Sequence, residues 1–395
     1  MKRKSLMRCR MNYVIGLTGS FGSGCNFLAT EFIQPLSYKY FSLSKILRQK
    51  YFQEKRKQPN RPELQDYGNQ LRKDNGNGYL ADLFLSEYRK ENPDKCIVDS
   101  IRNPGEIEVL RQNLPGFYLM GVFADKDLRW KRLKDDPYYN NNWGLFEKDD
   151  ERDMGEDLSY GQRVTDCFLS ADIILSNNQN FDRGSEPYEN MQTRISKYLE
   201  LIEHRKKRVP TEQEALMAIA YANGLRSSCL KRKVGAVIID FNGQIFSSGF
   251  NEVPKLEKSC KAAYGGCYRG KLRAKFAEKT RAYITDDESA DKFINWFKNE
   301  YKILDYCKAL HAEESAILSV ARNGSSALRE AILYTSTYPC NLCANKIAQV
   351  GIKEVVYLEP YPMTEAKLIL SNANVKQTPF EGVTYNGYFK LFKEE

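Results

Sequence analysis

No stretch of this 395-residue chain comes near the roughly 18 to 20 consecutive apolar residues that a membrane-spanning helix requires, so no membrane span is expected. The first residues, MKRKSLMRCRM, are basic but lack the apolar core of a signal peptide, and the chain is expected to stay in the cytoplasm. Histidine is scarce, at two residues, so each one stands out. One-sided charge is missing as well. The net charge is +9, yet residues 1–210 carry 35 basic against 30 acidic side chains, and residues 211–395 carry 25 against 21. An extended track that neutralises a nucleic-acid backbone needs a larger bias. The excess sits in short patches: residues 1–10, Arg205 to Arg208, and 255–281 with nine basic and two acidic side chains. Solvated charge is the plain reading of each. A composition that is 42% hydrophobic, 12% aromatic and 28% charged excludes coiled coil, collagen and wholesale disorder. Cysteine is present, at ten residues. In a reducing compartment these are expected to be metal ligands or small buried groups rather than a disulfide framework.

The length predicts two domains. A helical period over 190–204 (Met191, Ile195, Tyr198, Leu201, Ile202) is followed by RKKRVP, and Thr211 with Glu214 three residues on reads as a capping box. The boundary is therefore expected near 205–211, with domains at 1–207 and 208–395 and an insert at about 255–305 in the second. In the first half, YVIGL (13–17), KCIVDSI (95–101), FYLMGVFA (117–124) and ADIILSN (171–177) read as buried strands between helices, which implies a parallel sheet covered on both faces. The polar run EKDDERDMGED (147–157) reads as a surface loop or exposed helix end. In the second half, VGAVIID and QIFSSGF flank Asn242-Gly243, a hairpin signal. Helix, strand, helix and strand follow over 311–360 and predict a mixed sheet with helices on its faces.

One histidine opens HAEESAIL (311–318), and TYPCNLC (337–343) comes 25 residues later. His311 with Glu313, then Pro339-Cys340-x-x-Cys343, fits the H-x-E…P-C-x-x-C signature of zinc-dependent base deaminases. Two thiolates and an imidazole give Zn²⁺ three protein ligands and leave a fourth position for water, whose pKa the metal lowers. Glu313 is placed to shuttle a proton to the ring nitrogen and the leaving amine. Both motifs open helices, and Pro339 suits a first turn; helix N-termini favour thiolates. The alternative is a structural zinc site or buried cysteines. The motif offers no fourth protein ligand, which favours the catalytic reading.

Residues 211–395 resemble the deoxycytidylate deaminase branch of the cytidine deaminase superfamily. The match runs through SSCLKRKVGAVIID (227–240), SGFNEVP (248–254), HAEESAIL, TYPCNLCANKI and the tail PFEGVTYNGYFKLF (379–392). The resemblance implies that Asn251 contacts the deoxyribose, Ala312 sits against the base and Tyr338 lies beside the zinc loop; for Asn251 a plain turn role stays open. Between Pro254 and His311 lies a longer insert carrying the basic segment. It reads either as a lid whose Arg269, Lys271 and Arg273 neutralise substrate phosphates, which favours a dCTP-like substrate, or as a solvated helical insertion. Cys260, Cys267 and Cys307 in the same insert form a possible second, structural zinc set, whereas Cys229 is expected to be buried.

Gly19, Ser20, Phe21, Gly22, Ser23 and Gly24 have the spacing of a phosphate-binding P-loop after a strand, but Cys25 and Asn26 stand where Lys and Ser or Thr are expected. Converging backbone N–H groups and a helix end survive. The lysine and the Mg²⁺-holding hydroxyl do not, so phosphate binding without efficient kinase chemistry is expected. A tight turn that binds nothing is the alternative. This half resembles small nucleotide and dephospho-coenzyme A kinases through GLTGSFGSG, Asp99 with SIRNPGE, FADKDLRWKR and ADIILSNN. Arg102 and Arg129 are placed to meet phosphates or to be ordinary surface arginines. The expected fold is α/β, a P-loop nucleotide-kinase-like parallel-sheet domain followed by a cytidine-deaminase-like α/β/α domain.

That combination resembles the bacterial anti-phage dCTP deaminases, which turn deoxycytidine nucleotides into deoxyuridine nucleotides. It implies Zn²⁺ as cofactor, a dCTP or dCMP substrate, gating by a regulatory nucleotide (dTTP or dCTP) and a homo-oligomer. An RNA or protein inhibitor stays open, with the basic N-terminus as the feature pointing to one. Three other readings remain: a deaminase acting on a base in RNA or single-stranded DNA, a housekeeping dCMP deaminase supplying dUMP, and a non-catalytic nucleotide sensor.

Overall fold

The computed structural model describes residues 12–155, 158–179, 181–301, 303–322, 328–359 and 364–393. The chain divides into two compact units, one from the spans Met1–Thr211 and Glu381–Glu395, the other Glu212–Phe380.

The first unit is built on a parallel sheet of β1 (Tyr13–Thr18), β2 (Lys39–Ser42), β3 (Lys95–Asp99), β4 (Phe117–Phe123) and β5 (Ile173–Ser176), in the spatial order β5-β4-β1-β3-β2. The four apolar runs read from the sequence are β1, β3, β4 and β5. The fifth strand, β2, has no such run: it is a four-residue edge strand whose first residue, Lys39, is exposed and whose second, Tyr40, is half-buried. Helices cover the sheet because its strands are apolar on both faces. Ile15, Leu17, Ile97, Met120, Val122 and Leu175 pack with Met191, Ile195 and Leu199 of the helix Glu186–Ile202. That helix begins four residues before the predicted span, where Ser185 caps the Tyr188 N–H.

The acidic run is not a surface loop. Residues 147–154 belong to the helix Trp143–Met154, whose buried face carries Phe146, Asp149, Asp150 and Asp153. Cations from elsewhere in the unit make that burial possible: Arg129 is bidentate on Asp150 at 2.5 and 3.0 Å, Arg61 lies 3.2 Å from Asp149, and Arg102 pairs with Asp153. Residues 156–157 of the run, and the basic patch at 1–10, lie outside the described residues.

The second unit has a mixed sheet of β6 (Gly235–Ile239), β7 (Ile245–Phe250), β8 (Ile332–Thr335), β9 (Glu354–Tyr357) and β10 (Lys376–Pro379), ordered β10-β9-β8-β6-β7. Strand β6 runs antiparallel to both neighbours, and β8, β9 and β10 are parallel. The β6–β7 hairpin turns where predicted, with Gly243 at φ 78° and Asp240 Oδ1 accepting from the Asn242 and Gln244 N–H groups. Helices Ala312–Arg322 and Asn341–Val350 pack on this sheet through Ala312, Ala316 and Val320 and through Ala344 and Ile347. Gly249 of β7 lets the first of them close in, since a Cβ there would stand 2.2 Å from the Ala312 carbonyl oxygen. The insert folds as helices Cys260–Tyr264, Tyr268–Tyr283 and Asp287–Glu300, the last two joined by stacked Phe276 and Phe297 at 4.1 Å.

The tail corrects the expected division. The second unit does not run to 395. After Phe380 the chain returns to the first sheet as β11 (Gly382–Val383), antiparallel to β5. Arg194 holds Glu381 at 2.7 Å, Lys390 reaches Asp172 at 2.9 Å, and Val383 is fully buried.

Candidate active site

His311 immediately precedes the helix Ala312–Arg322, and Cys340 is the N-cap of Asn341–Val350, so two helix N-termini bring the ligands together. His311 Nδ1 lies 3.2 Å from Cys340 Sγ and 3.4 Å from Cys343 Sγ. A tetrahedral Zn²⁺ with bonds of about 2.3 Å to sulfur and 2.0 Å to nitrogen sets such N···S separations at roughly 3.5 Å, so the three donors fit that ion. Among the described residues this is the set of three donor atoms all within 4.8 Å of one another. The neighbouring Cys343 and His311 hold the Cys340 thiol well below the usual thiol range, against an opposing effect of burial. The Cys340 hydrogen bond raises His311 in turn.

Glu313 sits one residue into the helix and is 3% exposed, with Oε2 3.7 Å from Cys343 Sγ. Burial pushes its carboxyl up to about 7, against a partial counter-effect from a backbone N–H and from His311. A carboxyl titrating near neutrality is suited to taking up and giving back a proton.

These residues border a cavity of about 530 Å³, within the range that takes a nucleotide-sized ligand. Among the described residues Glu313 is the only carboxylate that lines it, and five lining residues are cations: Lys231, Arg232, Arg269, Arg273 and Lys298. Arg269 and Arg273 line the cavity that the metal set borders, whereas Lys271 is not among the lining residues. Sequence reasoning missed Lys231, Arg232 and Lys298. The first two stand in the KRK run just before β6, which was a readable signal; Lys298 is a single half-buried lysine on a helix and carried none. Ala312 and Tyr338 line the cavity, and the Tyr338 hydroxyl donates to Gln377 Oε1. Asn251 lines it too, but its amide is engaged locally: Oδ1 accepts from the Val234 N–H at 2.8 Å and Nδ2 donates to the Arg232 carbonyl at 2.9 Å.

Cys260, Cys267 and Cys307 line one small cavity of about 20 Å³ together with Cys229, which is half-buried rather than buried. Their sulfurs are less tightly gathered than the His311 set.

In the first unit, the glycine loop follows β1, the central strand, as a phosphate loop should. Gly22 and Gly24 have φ of 79° and 93°. A Cβ on Gly24 would stand 2.2 Å from Asn177 Nδ2, which holds the Ser23 carbonyl. The helix that follows is short: Cys25–Leu28 continues as a wider turn over Ala29–Ile33. Asn26 donates to the Tyr40 hydroxyl at 2.7 Å, and Cys25 Sγ lies 3.6 Å from Ser23 Oγ. The Phe21 N–H donates to Asp153 Oδ2 at 3.1 Å, and Ser20 Oγ meets Met154 Sδ at the same distance. Arg129 does not face a phosphate position. It is 3% exposed and spent on Asp150 and on the carbonyls of Ala124 and Phe21.

Comparison with known proteins identifies the second unit. The cytidine and deoxycytidylate deaminase zinc-binding region matches residues 210–359. The deoxycytidylate deaminase of Enterobacteria phage T4 is 35% identical over 167 residues, 41% of this chain and 86% of that protein. The deoxycytidylate deaminase of Schizosaccharomyces pombe is 34% identical over 154 residues, and the chain spans only 39% of that relative's length. The crystal structure of the cyanophage S-TIM5 dCMP deaminase with dCMP and dUMP shares 23% identity, covering 44% of this chain and all of that one, with a TM-score of 0.31. Through the zinc-binding region of its second unit, the chain belongs to the cytidine and deoxycytidylate deaminase family.

Proposed function

We propose that the chain is a zinc-dependent hydrolase that converts deoxycytidine nucleotides, dCTP as well as dCMP, to deoxyuridine nucleotides and ammonia. The observation that carries this reading is the buried Glu313 beside the His311, Cys340 and Cys343 set, in a cavity lined by five cations. Zinc held by those three residues supplies the Lewis acidity that makes water nucleophilic near neutral pH. Glu313 accepts the proton of the attacking water and delivers it to the ring nitrogen, then moves a proton to the departing amine. The C–N bond breaks, ammonia leaves, and the water oxygen stays on the ring as the carbonyl.

Arg232 is paired with Glu359, and the cations beside it still exceed what a single phosphate dianion calls for, which favours a triphosphate as substrate alongside the monophosphate. We further propose that Cys260, Cys267 and Cys307 are the ligands of a second, structural zinc that ties the insert down. The first unit is read as the nucleotide sensor that gates the reaction, with dTTP or dCTP as regulator, provided that ligand binds active and inactive states unequally. A phosphate entering the glycine loop displaces Asp153 from Phe21. Depletion of dCTP as antiviral defence, a homo-oligomeric assembly and an RNA or protein inhibitor are the roles the two-domain resemblance adds.

The test is ammonia release from dC, dCMP, dCTP and CTP, with and without dTTP. Turnover of dCTP and dCMP but not dC supports the reading. Turnover of dC alone, or of none of the four by zinc-loaded protein, contradicts it.

A further inference from the structure

Two of the cations that line the zinc-side cavity, Lys231 and Arg232, belong to the segment 225–234. It joins the helix Glu212–Gly224 to β6 and has no helical or strand residues of its own. Side chains on such a segment face a cavity only if something else fixes its backbone. Two consecutive residues after β7 do so. Asn251 holds the end of the segment: its Oδ1 accepts from the Val234 N–H at 2.8 Å, and its Nδ2 donates to the Arg232 carbonyl at 2.9 Å. Glu252 holds the start. Its Oε2 accepts from the Ser228 N–H at 2.8 Å, and its Oε1 accepts from the Ser228 hydroxyl at 2.7 Å. A carboxylate that takes both donors of one residue is a charge-assisted clamp, stronger than a neutral pair and fixed in direction.

Glu252 is itself anchored. The Leu310 N–H donates to its carbonyl at 2.9 Å in an antiparallel bridge, and Leu310 directly precedes His311. The clamp therefore ties the cation-bearing segment to the stretch of chain that delivers the first metal donor. Glu252 is not among the residues that line the zinc-side cavity; it borders the small cysteine-lined one. It can act on a bound nucleotide only through the segment it holds.

We propose that Glu252 is a positioning residue for phosphate recognition: its hold on Ser228 sets the segment so that Lys231 and Arg232 meet the phosphates of the nucleotide. The inference rests on the nucleotide reading above. Its sign is opposite to that of simple electrostatics. Glu252 is bonded to a residue three positions from Lys231, so removing its negative charge should by itself tighten the binding of a phosphate. Releasing the segment should weaken that binding.

The experiment is calorimetric titration of the intact, zinc-loaded chain with deoxyuridine, dUMP and dUTP, the products, so that binding is read without turnover. Three variants are compared with the parent: Glu252→Ala; Glu252→Gln, which can still accept from the Ser228 N–H; and Ser228→Ala, which removes only the hydroxyl half of the clamp. Ser228 is exposed, so this last variant should keep the fold, and melting curves and zinc content check all three. The expected result is that Glu252→Ala binds dUMP and dUTP at least fivefold more weakly and deoxyuridine as the parent does. Ser228→Ala should fall between the two, and Glu252→Gln should stay within twofold of the parent. Unchanged or tighter binding of dUMP and dUTP in both Glu252→Ala and Ser228→Ala overturns the proposal, and so does an equal loss for all three ligands. A parent chain that binds dUMP and dUTP no more tightly than deoxyuridine overturns the nucleotide reading and this inference with it.

Discussion

The backbone N–H of Phe21 donates to the Asp153 carboxylate at 3.1 Å, and the same carboxylate pairs with Arg102. The glycine loop thus already holds an anion, supplied by a helix more than 120 residues away in sequence. Asp153→Ala removes it and leaves Arg102 uncompensated, at a cost of about 3 kcal/mol. Chemical denaturation of the first unit measures that loss. The same variant should melt at a higher temperature as inorganic phosphate is added, because the freed loop N–H can take the phosphate; the parent chain should respond less.

The cations of the zinc-side cavity separate the two proposed substrates. Lys298→Ala and Arg273→Ala should raise KM for dCTP about tenfold and for dCMP by less, with kcat nearly constant, since they act on phosphates that do not react. Steady-state kinetics on both nucleotides makes the comparison. Equal effects on the two KM values would place these side chains away from the outer phosphates.

Glu203 makes the first unit sensitive to acid. It accepts from Tyr38 and Lys95, each at 2.7 Å, and pairs with Arg205 at 2.6 Å. Burial pushes its carboxyl up, but Lys95, Tyr38 and Arg205 outweigh burial and leave its pKa below the ordinary 4.5. A pKa lowered by folding means that the carboxylate's contribution is complete above the unfolded value and is lost as pH falls through the folded one. Glu203→Gln should therefore cost about 2 kcal/mol at pH 7 and progressively less as the pH falls through the lowered folded pKa. Melting curves across that range test the sign.

Removing residues 381–395 should weaken the first unit and spare the second. The deletion takes away Val383 and Leu391, both buried, and burial of two such side chains is worth about 3–6 kcal/mol. It also removes the Thr384 hydroxyl bond to the Ala171 carbonyl at 2.5 Å. The measurement is hydrogen exchange of β4 and β5, which should speed up, beside zinc content, which should not change.

The metal set was legible because its chemistry is local: a ligand, a proton carrier and two thiols lie at fixed offsets on two helix starts. The four strands of the first sheet that run through its core were legible as uninterrupted apolar runs. The acidic helix was not, because Asp149, Asp150 and Asp153 are buried only by virtue of Arg61, Arg129 and Arg102, and no local pattern announces partners 20 to 90 residues away. The tail misled for a related reason. It shares sequence character with the deaminase half, but its β11 edge pairing with β5 and the Lys390–Asp172 bridge are set by tertiary contact alone. Asn251 lies between these cases: it lines the cavity, while the backbone of 232–234 uses both ends of its amide.

The central claim is that Glu313 moves the proton in a deamination at the His311, Cys340 and Cys343 site, and one paired measurement addresses it. Glu313→Ala is assayed for zinc content and for ammonia release from dCTP and dCMP beside the parent chain. The account predicts unchanged zinc and a fall in kcat of at least 10² to 10⁴-fold, with Cys343→Ser losing metal and activity together. Full activity in Glu313→Ala with zinc retained would contradict it.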